Sequence, residues 1–224
     1  MSESILTFLA YDDRPMSTSA SKPVGVIGAG TMGAGIAQTA ATAGWSVKLF
    51  DIEQSLLDEA HQIIVKRFER LAEKDRMTSE QAAECVARIF LTTSLDDLCD
   101  CDLIIEAIVE DFDIKTKVLK KVGAIAPESI IATNTSSLSI NDLGEACGCA
   151  TRFIGMHFFN PAPIMPLVEV IRGRQSSEAA VQQATLVAEA WGKTVVQAAD
   201  TPGFTVNRVA RPYYLDSCRI LYHH

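Results

Sequence analysis

An apolar tetrapeptide, Val24 to Ile27, runs straight into Gly28-Ala29-Gly30-Thr31-Met32-Gly33 and then into a segment of helical period that continues through Ala43. No other feature of the chain restricts the fold so tightly. The pattern G-x-G-x-x-G is weak alone, because glycine-rich turns are common, but a strand before it and a helix after it make it the turn of a βαβ unit. Gly28 permits the tight bend, Gly30 lets a pyrophosphate approach the backbone, and Gly33 lets the helix pack on the sheet. Thr31 and Met32 lie within the same turn and are assigned with the glycines to cofactor binding. Unpaired N–H groups at the helix start favour phosphate. The following strand, WSVKLF, ends on Asp51, 18 residues beyond Gly33. A carboxylate there meets ribose hydroxyls and repels a 2′-phosphate, so the turn predicts NAD rather than NADP. An empty glycine-rich turn is the plainer alternative, and the coincidence of strand, turn, helix and acid weighs against it.

Alternation continues along the chain. A long helical stretch from Glu53 to about Lys74 and a second near Thr78 to Arg88 precede RIFLTT and DLIIEAI, then come a helix around Ile114 to Ala126, SIIATN and RFIGMHFF. Strands apolar on both faces and joined by helical crossovers form a covered parallel sheet, so the fold class is α/β, Rossmann-type, doubly wound and mostly parallel. PLVEVIRG, Ser176 to Trp191 and KTVVQAAD add strand, helix and strand, and the segment from Asp200 feeds a last helix. The expected division is a loose tail over 1–21, a nucleotide-binding domain over 22–201, and over 202–224 the first helix of a truncated helical domain. The closing His223-His224 pair reads as part of a purification tag.

Charge and cysteines narrow the function. With 20 Lys and Arg against 28 Asp and Glu, the net charge is -8 and no basic block suits nucleic acid. The start is acidic, with an apolar run only from Ile5 to Ala10, which fits neither a signal peptide nor a membrane span. Six cysteines without a secretion signal read as reduced thiols of a cytoplasmic protein. The pairs Cys99/Cys101 and Cys147/Cys149 each precede a strand, and another strand is expected between those two, so a shared zinc site is disfavoured.

Ionisable groups in apolar surroundings mark the chemistry. In DLIIEAIVED, Glu106 lies within a strand and Glu110 just past its carboxyl end, where this fold places ligands. Lys115 alone reads as a solvated helix charge. Asn134, Ser136 and Ser137 follow the next strand, where a helix cap is the plainer role. His157 stands among Met156, Phe158 and Phe159, and Glu169 is the one polar residue of PLVEVI. A carboxylate in an apolar strand is costly unless paired, and the turn NPAP between the two strands allows the pair to meet. Such a Glu fixes the tautomer of the imidazole and supports its cation, giving a base for proton transfer.

GAGTMGAGIA, EAIVED, TNTSSLS, GMHFFNPAP, LVEV and DTPGFTVNRV, in this order, resemble the L-3-hydroxyacyl-CoA dehydrogenases, especially bacterial enzymes acting on 3-hydroxybutyryl-CoA or 3-hydroxyadipyl-CoA. The resemblance runs from about Pro23 to the end. It implies that His157 is the general base, Glu169 its orienting partner, and Ser136 and Asn207 hydrogen-bond donors to the reacting oxygen or the His. It further implies that Glu110, Lys115 and Asn134 line the nicotinamide and ribose side of NAD, and that Lys74 helps hold the CoA of the acyl-CoA substrate. For Lys74 an ordinary solvated helix face is an equal alternative. A homodimer through the missing helical domain is also implied. The sequence departs from many relatives at Pro166, where they carry Lys. Two other readings stay open: a dehydrogenase of a free hydroxy or sugar acid, and an NAD-binding module without catalysis.

Overall fold

The computed structural model describes residues 22–222; the expected N-terminal tail and the terminal histidine pair lie outside them. Strand β1 (Val24–Ile27), helix α1 (Thr31–Thr42) and β2 (Val47–Phe50) form the first βαβ unit. An arm of two helices, α2 (Gln54–Glu73) and α3 (Ser79–Ala87), returns the chain to β3 (Ile89–Thr92). Then follow β4 (Leu103–Glu106), α4 (Phe112–Ile125), β5 (Ile130–Thr133), α5 (Ile140–Cys147) and β6 (Phe153–Phe158). The remainder is β7 (Leu167–Arg172), α6 (Glu178–Ala190), β8 (Thr194–Ala199) and α7 (Val206–Tyr222).

The eight strands make one sheet in the order β3-β2-β1-β4-β5-β6-β7-β8. Strands β1 to β6 are parallel; β7 runs antiparallel to β6, and β8 parallel to β7. The reversal at β7 has a simple cause. A parallel crossover needs a dozen or more residues, and the link 159–166 is too short, so β7 can return only as an antiparallel neighbour. The chain direction across the sheet switches between β1 and β4, the crevice where this class of fold holds ligands.

Burial follows from the strand sequences. Every residue of β1, β4 and β5 is buried, and the sheet separates two apolar layers, one against α1, α2, α3 and α6, the other against α4 and α5. Alternation along β6 sends Ile154, Met156 and Phe158 into the first layer. His157 therefore points to the other face, and Glu169 of β7 does the same between Val168 and Val170.

Helix starts follow local chemistry. Helix α4 begins at Phe112, before the expected Ile114, because the Asp111 carboxylate accepts from the Ile114 N–H at 2.9 Å. Ser177 likewise caps α6, which starts at Glu178. Helix α5 is short and absent from the sequence reading as an element; its cap is Ser139, whose hydroxyl accepts from Asp142 N–H. Among the described residues no helix is long and apolar enough to cross a membrane.

Candidate active site

The glycine turn lies at the switch point. Gly28 has φ +101°, and a side chain there would meet the Ala107 carbonyl. At Gly33 an added Cβ would fall 1.7 Å from the Gly28 carbonyl oxygen, so the residue can only be glycine. Gly30, by contrast, faces open space: nothing lies within 4 Å of where its Cβ would be. It is the N-cap of α1 and receives no side-chain cap, with exposed Thr31 and half-buried Met32 completing the first turn. Uncapped N–H groups beside an open glycine are a cradle for an anion, and the pyrophosphate of NAD fits it. Asp51 stands at the end of β2, where one carboxylate oxygen accepts from Ala29 N–H at 2.7 Å and the other from Glu53 N–H at 3.2 Å. The acid thus braces the turn it faces.

On the other side of the crevice Glu110 gathers the β5–α5 loop. Its Oε1 accepts from the Thr135 hydroxyl at 2.5 Å, the N–H groups of Ser136 and Ser137 at 3.0 and 3.2 Å, and the Ser137 hydroxyl at 2.9 Å. Burial pushes its carboxyl up, yet the Thr135 hydrogen bond and the Lys115 cation together hold it below the usual carboxylate range. Ser136 is exposed and its hydroxyl lies 3.5 Å from Glu110, so both Ser136 and Ser137 are tied to this acid rather than capping a helix.

Lys115 differs from its sequence reading. It is neither solvated nor open to a ligand, being 1% exposed. Its ammonium donates to Glu106 at 2.6 Å and lies 3.5 Å from Glu110. Glu106, fully buried, also accepts from Ile108 N–H and the Thr133 hydroxyl, both at 2.7 Å. Asn134 turns its side chain toward β6, where its carbonyl accepts from the Phe158 N–H at 2.9 Å. That bond ties the end of β5 to the residue after His157.

His157 and Glu169 are direct partners across the β6–β7 ladder. The Nδ1 of His157 is 2.8 Å from Glu169 Oε2, with the His side chain 8% exposed and that of Glu169 fully buried. The other oxygen, Oε1, accepts from Thr205 N–H and Val206 N–H, each at 2.9 Å, at the start of α7. The imidazole is held between Phe159 and Phe204, with ring centroids 4.6 and 5.7 Å away. Among the described residues Nε2 has no hydrogen-bond partner.

Asn207 is half-buried in the first turn of α7, and among the described residues its side chain has no hydrogen-bond partner. Lys74 is the exposed C-cap of α2, at the tip of the arm. Pro166 is exposed at the end of the β6–β7 link. Thr135, Phe204 and the two N–H groups at Thr205 and Val206 escaped the sequence reading. Only their position inside TNTSSLS and DTPGFTVNRV could have drawn notice.

A glycine cradle and a facing acid at the switch point, with a carboxylate-supported imidazole near the carboxyl end of β6 at the same edge of the sheet, fit a dinucleotide-dependent dehydrogenase. Residues 23–201 match the family model described as "3-hydroxyacyl-CoA dehydrogenase, NAD binding domain", and the chain belongs to that family. It is 49% identical over 190 residues to a probable 3-hydroxybutyryl-CoA dehydrogenase of Deinococcus radiodurans, covering 84% of this chain and 68% of the relative. It is 40% identical over 199 residues to the 3-hydroxyadipyl-CoA dehydrogenase of Escherichia coli, covering 88% of this chain and 42% of that protein. The crystal structure of (S)-3-hydroxybutyryl-CoA dehydrogenase from Ralstonia eutropha superposes with a TM-score of 0.84 at 42% identity, covering 87% of this chain and 69% of that one. The chain therefore spans about two thirds of the shorter relatives and under half of the longer one.

Proposed function

We propose that this protein interconverts an L-3-hydroxyacyl-CoA and the 3-oxoacyl-CoA, with His157 as the general base. One observation carries the reading: Nδ1 of the imidazole lies 2.8 Å from a fully buried carboxylate, and among the described residues Nε2 has no hydrogen-bond partner. Glu169 keeps the proton on Nδ1, which leaves Nε2 unprotonated to take the proton of the 3-hydroxyl. NAD, when bound, accepts the C3 hydride. In the reverse direction the imidazolium, steadied by Glu169, returns the proton to the 3-oxo oxygen. Asn207 and Ser136 donate hydrogen bonds to that oxygen. Support for Asn207 comes from its position one residue past the backbone groups that hold Glu169.

Glu110 and Asn134 shape the nicotinamide and ribose side, with Lys115 acting from behind by fixing Glu110. Thr31, Met32 and the three glycines receive the pyrophosphate, and Asp51 the ribose. The exposed ammonium of Lys74 suits a CoA phosphate. Helix α7 opens a further helical domain and a homodimer contact; its exposed Tyr213, Tyr214 and Leu221 offer the apolar surface that such packing needs. A cytoplasmic setting agrees with six free thiols.

The test is His157→Gln, followed by NADH absorbance with acetoacetyl-CoA and by NAD titration. Turnover should fall by a factor on the order of 10² to 10⁴ with NAD affinity unchanged. A variant that keeps its turnover removes the assignment.

A further inference from the structure

Two of the cysteines form an arrangement that hydride transfer does not use. Helix α5 ends on Cys147, and Gly148, at φ +75°, turns the chain back so that Cys149 follows on the same side. The two Sγ atoms are 2.7 Å apart. Both side chains are buried, at 6% and 4% exposure, whereas Gly148 between them is exposed and has nothing within 4 Å of its would-be Cβ. The pair is thus buried beneath an exposed turn. It lies by the amino ends of β5 and β6, where Arg152 donates to the carbonyls of Gly123, Ala126 and Ser129.

We propose that Cys147-Gly148-Cys149 is a peroxide-reactive dithiol that closes to an intrachain disulfide, a modification site apart from the His157 centre. Its geometry supplies a nucleophile and a resolving thiol at contact distance, the requirement for intramolecular closure. The thiol of Cys149 hydrogen-bonds to Cys147 and brings the latter down to about 7, with the Arg152 guanidinium adding to the effect. The same shared proton, together with burial, pushes Cys149 up. Cys147 is then the attacking thiolate and Cys149 holds the proton. Other buried thiols contrast: burial raises Cys85 and drives Cys101 up to about 12, which leaves them unreactive.

The chemistry balances with one hydrogen peroxide or alkyl hydroperoxide as oxidant. Cys147 thiolate attacks the peroxide oxygen, the O–O bond breaks, and the sulfur becomes a sulfenic acid as hydroxide or alkoxide leaves and is protonated. Cys149 loses its proton and attacks that sulfur, an S–S bond forms, and the sulfenic oxygen departs as water. Two thiols surrender two electrons and two protons, and a reducing dithiol reverses the step.

The experiment uses the full chain with Cys99→Ser and Cys218→Ser, which removes the two exposed thiols and with them intermolecular pairing. The protein is treated with hydrogen peroxide, alkylated with iodoacetamide and digested with trypsin. One tryptic peptide, Val122 to Arg152, contains both cysteines with no Lys or Arg between them. The expected product is that peptide unalkylated and lighter by two hydrogens, returning to double alkylation after dithiothreitol. Cys147 should react at least on the order of tenfold faster than Cys101. A further Cys147→Ser change should leave Cys149 alkylated after peroxide, with an unchanged far-ultraviolet circular dichroism spectrum certifying the fold. Double alkylation after a large excess of peroxide, or conversion of Cys147 to sulfinic acid without a disulfide, would overturn the proposal. Because the readout is peptide mass, neither result bears on the assignment of His157.

Discussion

Glu169 divides its carboxylate between two neighbours: Oε2 lies 2.8 Å from His157 Nδ1, and Oε1 accepts the N–H groups of Thr205 and Val206 at 2.9 Å. The acid that orients the imidazole therefore also satisfies the start of α7, where a negative charge is favoured by the helix dipole. Glu169→Gln separates these duties. The amide oxygen can still accept from the α7 N–H groups, while the amide N–H₂ now faces Nδ1 and forces the proton onto Nε2. Turnover should fall by roughly 10²-fold or more, as for a base held in the wrong tautomer, with NAD affinity retained. Steady-state kinetics with separate NAD titration checks this. Unchanged turnover would show that the tautomer is set by something else.

The glycines of the turn can be told apart by substitution. Gly33→Ala places a methyl group 1.7 Å from the Gly28 carbonyl oxygen, so backbone must move. It should cost at least about 2 kcal/mol in stability. Gly30→Ala meets no atom within 4 Å and should unfold at the wild-type midpoint. Its methyl occupies the cradle, however, and NAD affinity should drop about tenfold or more, a contact loss of ordinary size. Denaturant melts and NAD titrations of both variants test the contrast, and an unimpaired Gly30→Ala protein would place the pyrophosphate elsewhere.

Lys115→Met leaves the fully buried Glu106 without its cation. Breaking a buried pair from one side costs about 3–5 kcal/mol, even though two hydrogen bonds to Glu106 survive. Adding Glu106→Gln should recover most of that loss, because the charge that needed compensation is gone. Urea unfolding of the two single variants and the double variant closes the cycle; a double variant as weak as Lys115→Met would assign the effect to packing.

Lys193 gives a pH dependence of stability. Its ammonium is buried and donates to the carbonyls of Ala162 and Met165 at 2.6 and 2.9 Å, strapping the β6–β7 link. Burial lowers it to about 8 from the ordinary value of 10.5. Between these values the unfolded chain holds the proton that the folded chain has released, so stability from this group rises with pH through that window. Below about 8 the burial penalty is present in full. Relative to Lys193→Met, the wild type should gain on the order of 1 kcal/mol between pH 7.5 and 10. Paired melts across that range decide it, and parallel curves would exclude the effect.

Legibility of the site followed the range of the forces. The glycine turn and Asp51 were readable because steric limits on a few consecutive residues dictate them. His157 and Glu169 were readable because an ionisable group in an apolar strand demands a partner, and the short NPAP-containing link leaves few choices. Lys115 is buried where a solvated helix charge is expected. Its burial goes with its pairing to Glu106, the last residue of β4, nine residues earlier, and a lysine on a helix has no helical-spacing mark of such a partner. Ser136 and Ser137 stand where helix caps are expected, but Glu110 reaches across from another loop and takes both, leaving the cap to Ser139. The N–H groups of Thr205 and Val206 had no signature at all, since every residue but proline carries one. In the fold, the strands were visible from apolar runs, whereas α5, at eight residues, spans little more than two turns and offers few apolar positions from which to read a period.

Placing base and acid opposite one another on adjacent strands has a consequence for assembly of the sheet. Sliding β7 by one residue against β6 would swing Glu169 to the opposite face and strand an uncompensated carboxylate among aliphatic side chains. The His157–Glu169 contact thus doubles as an alignment key, penalising every misregistered hairpin while the chain is still finding its native pairing.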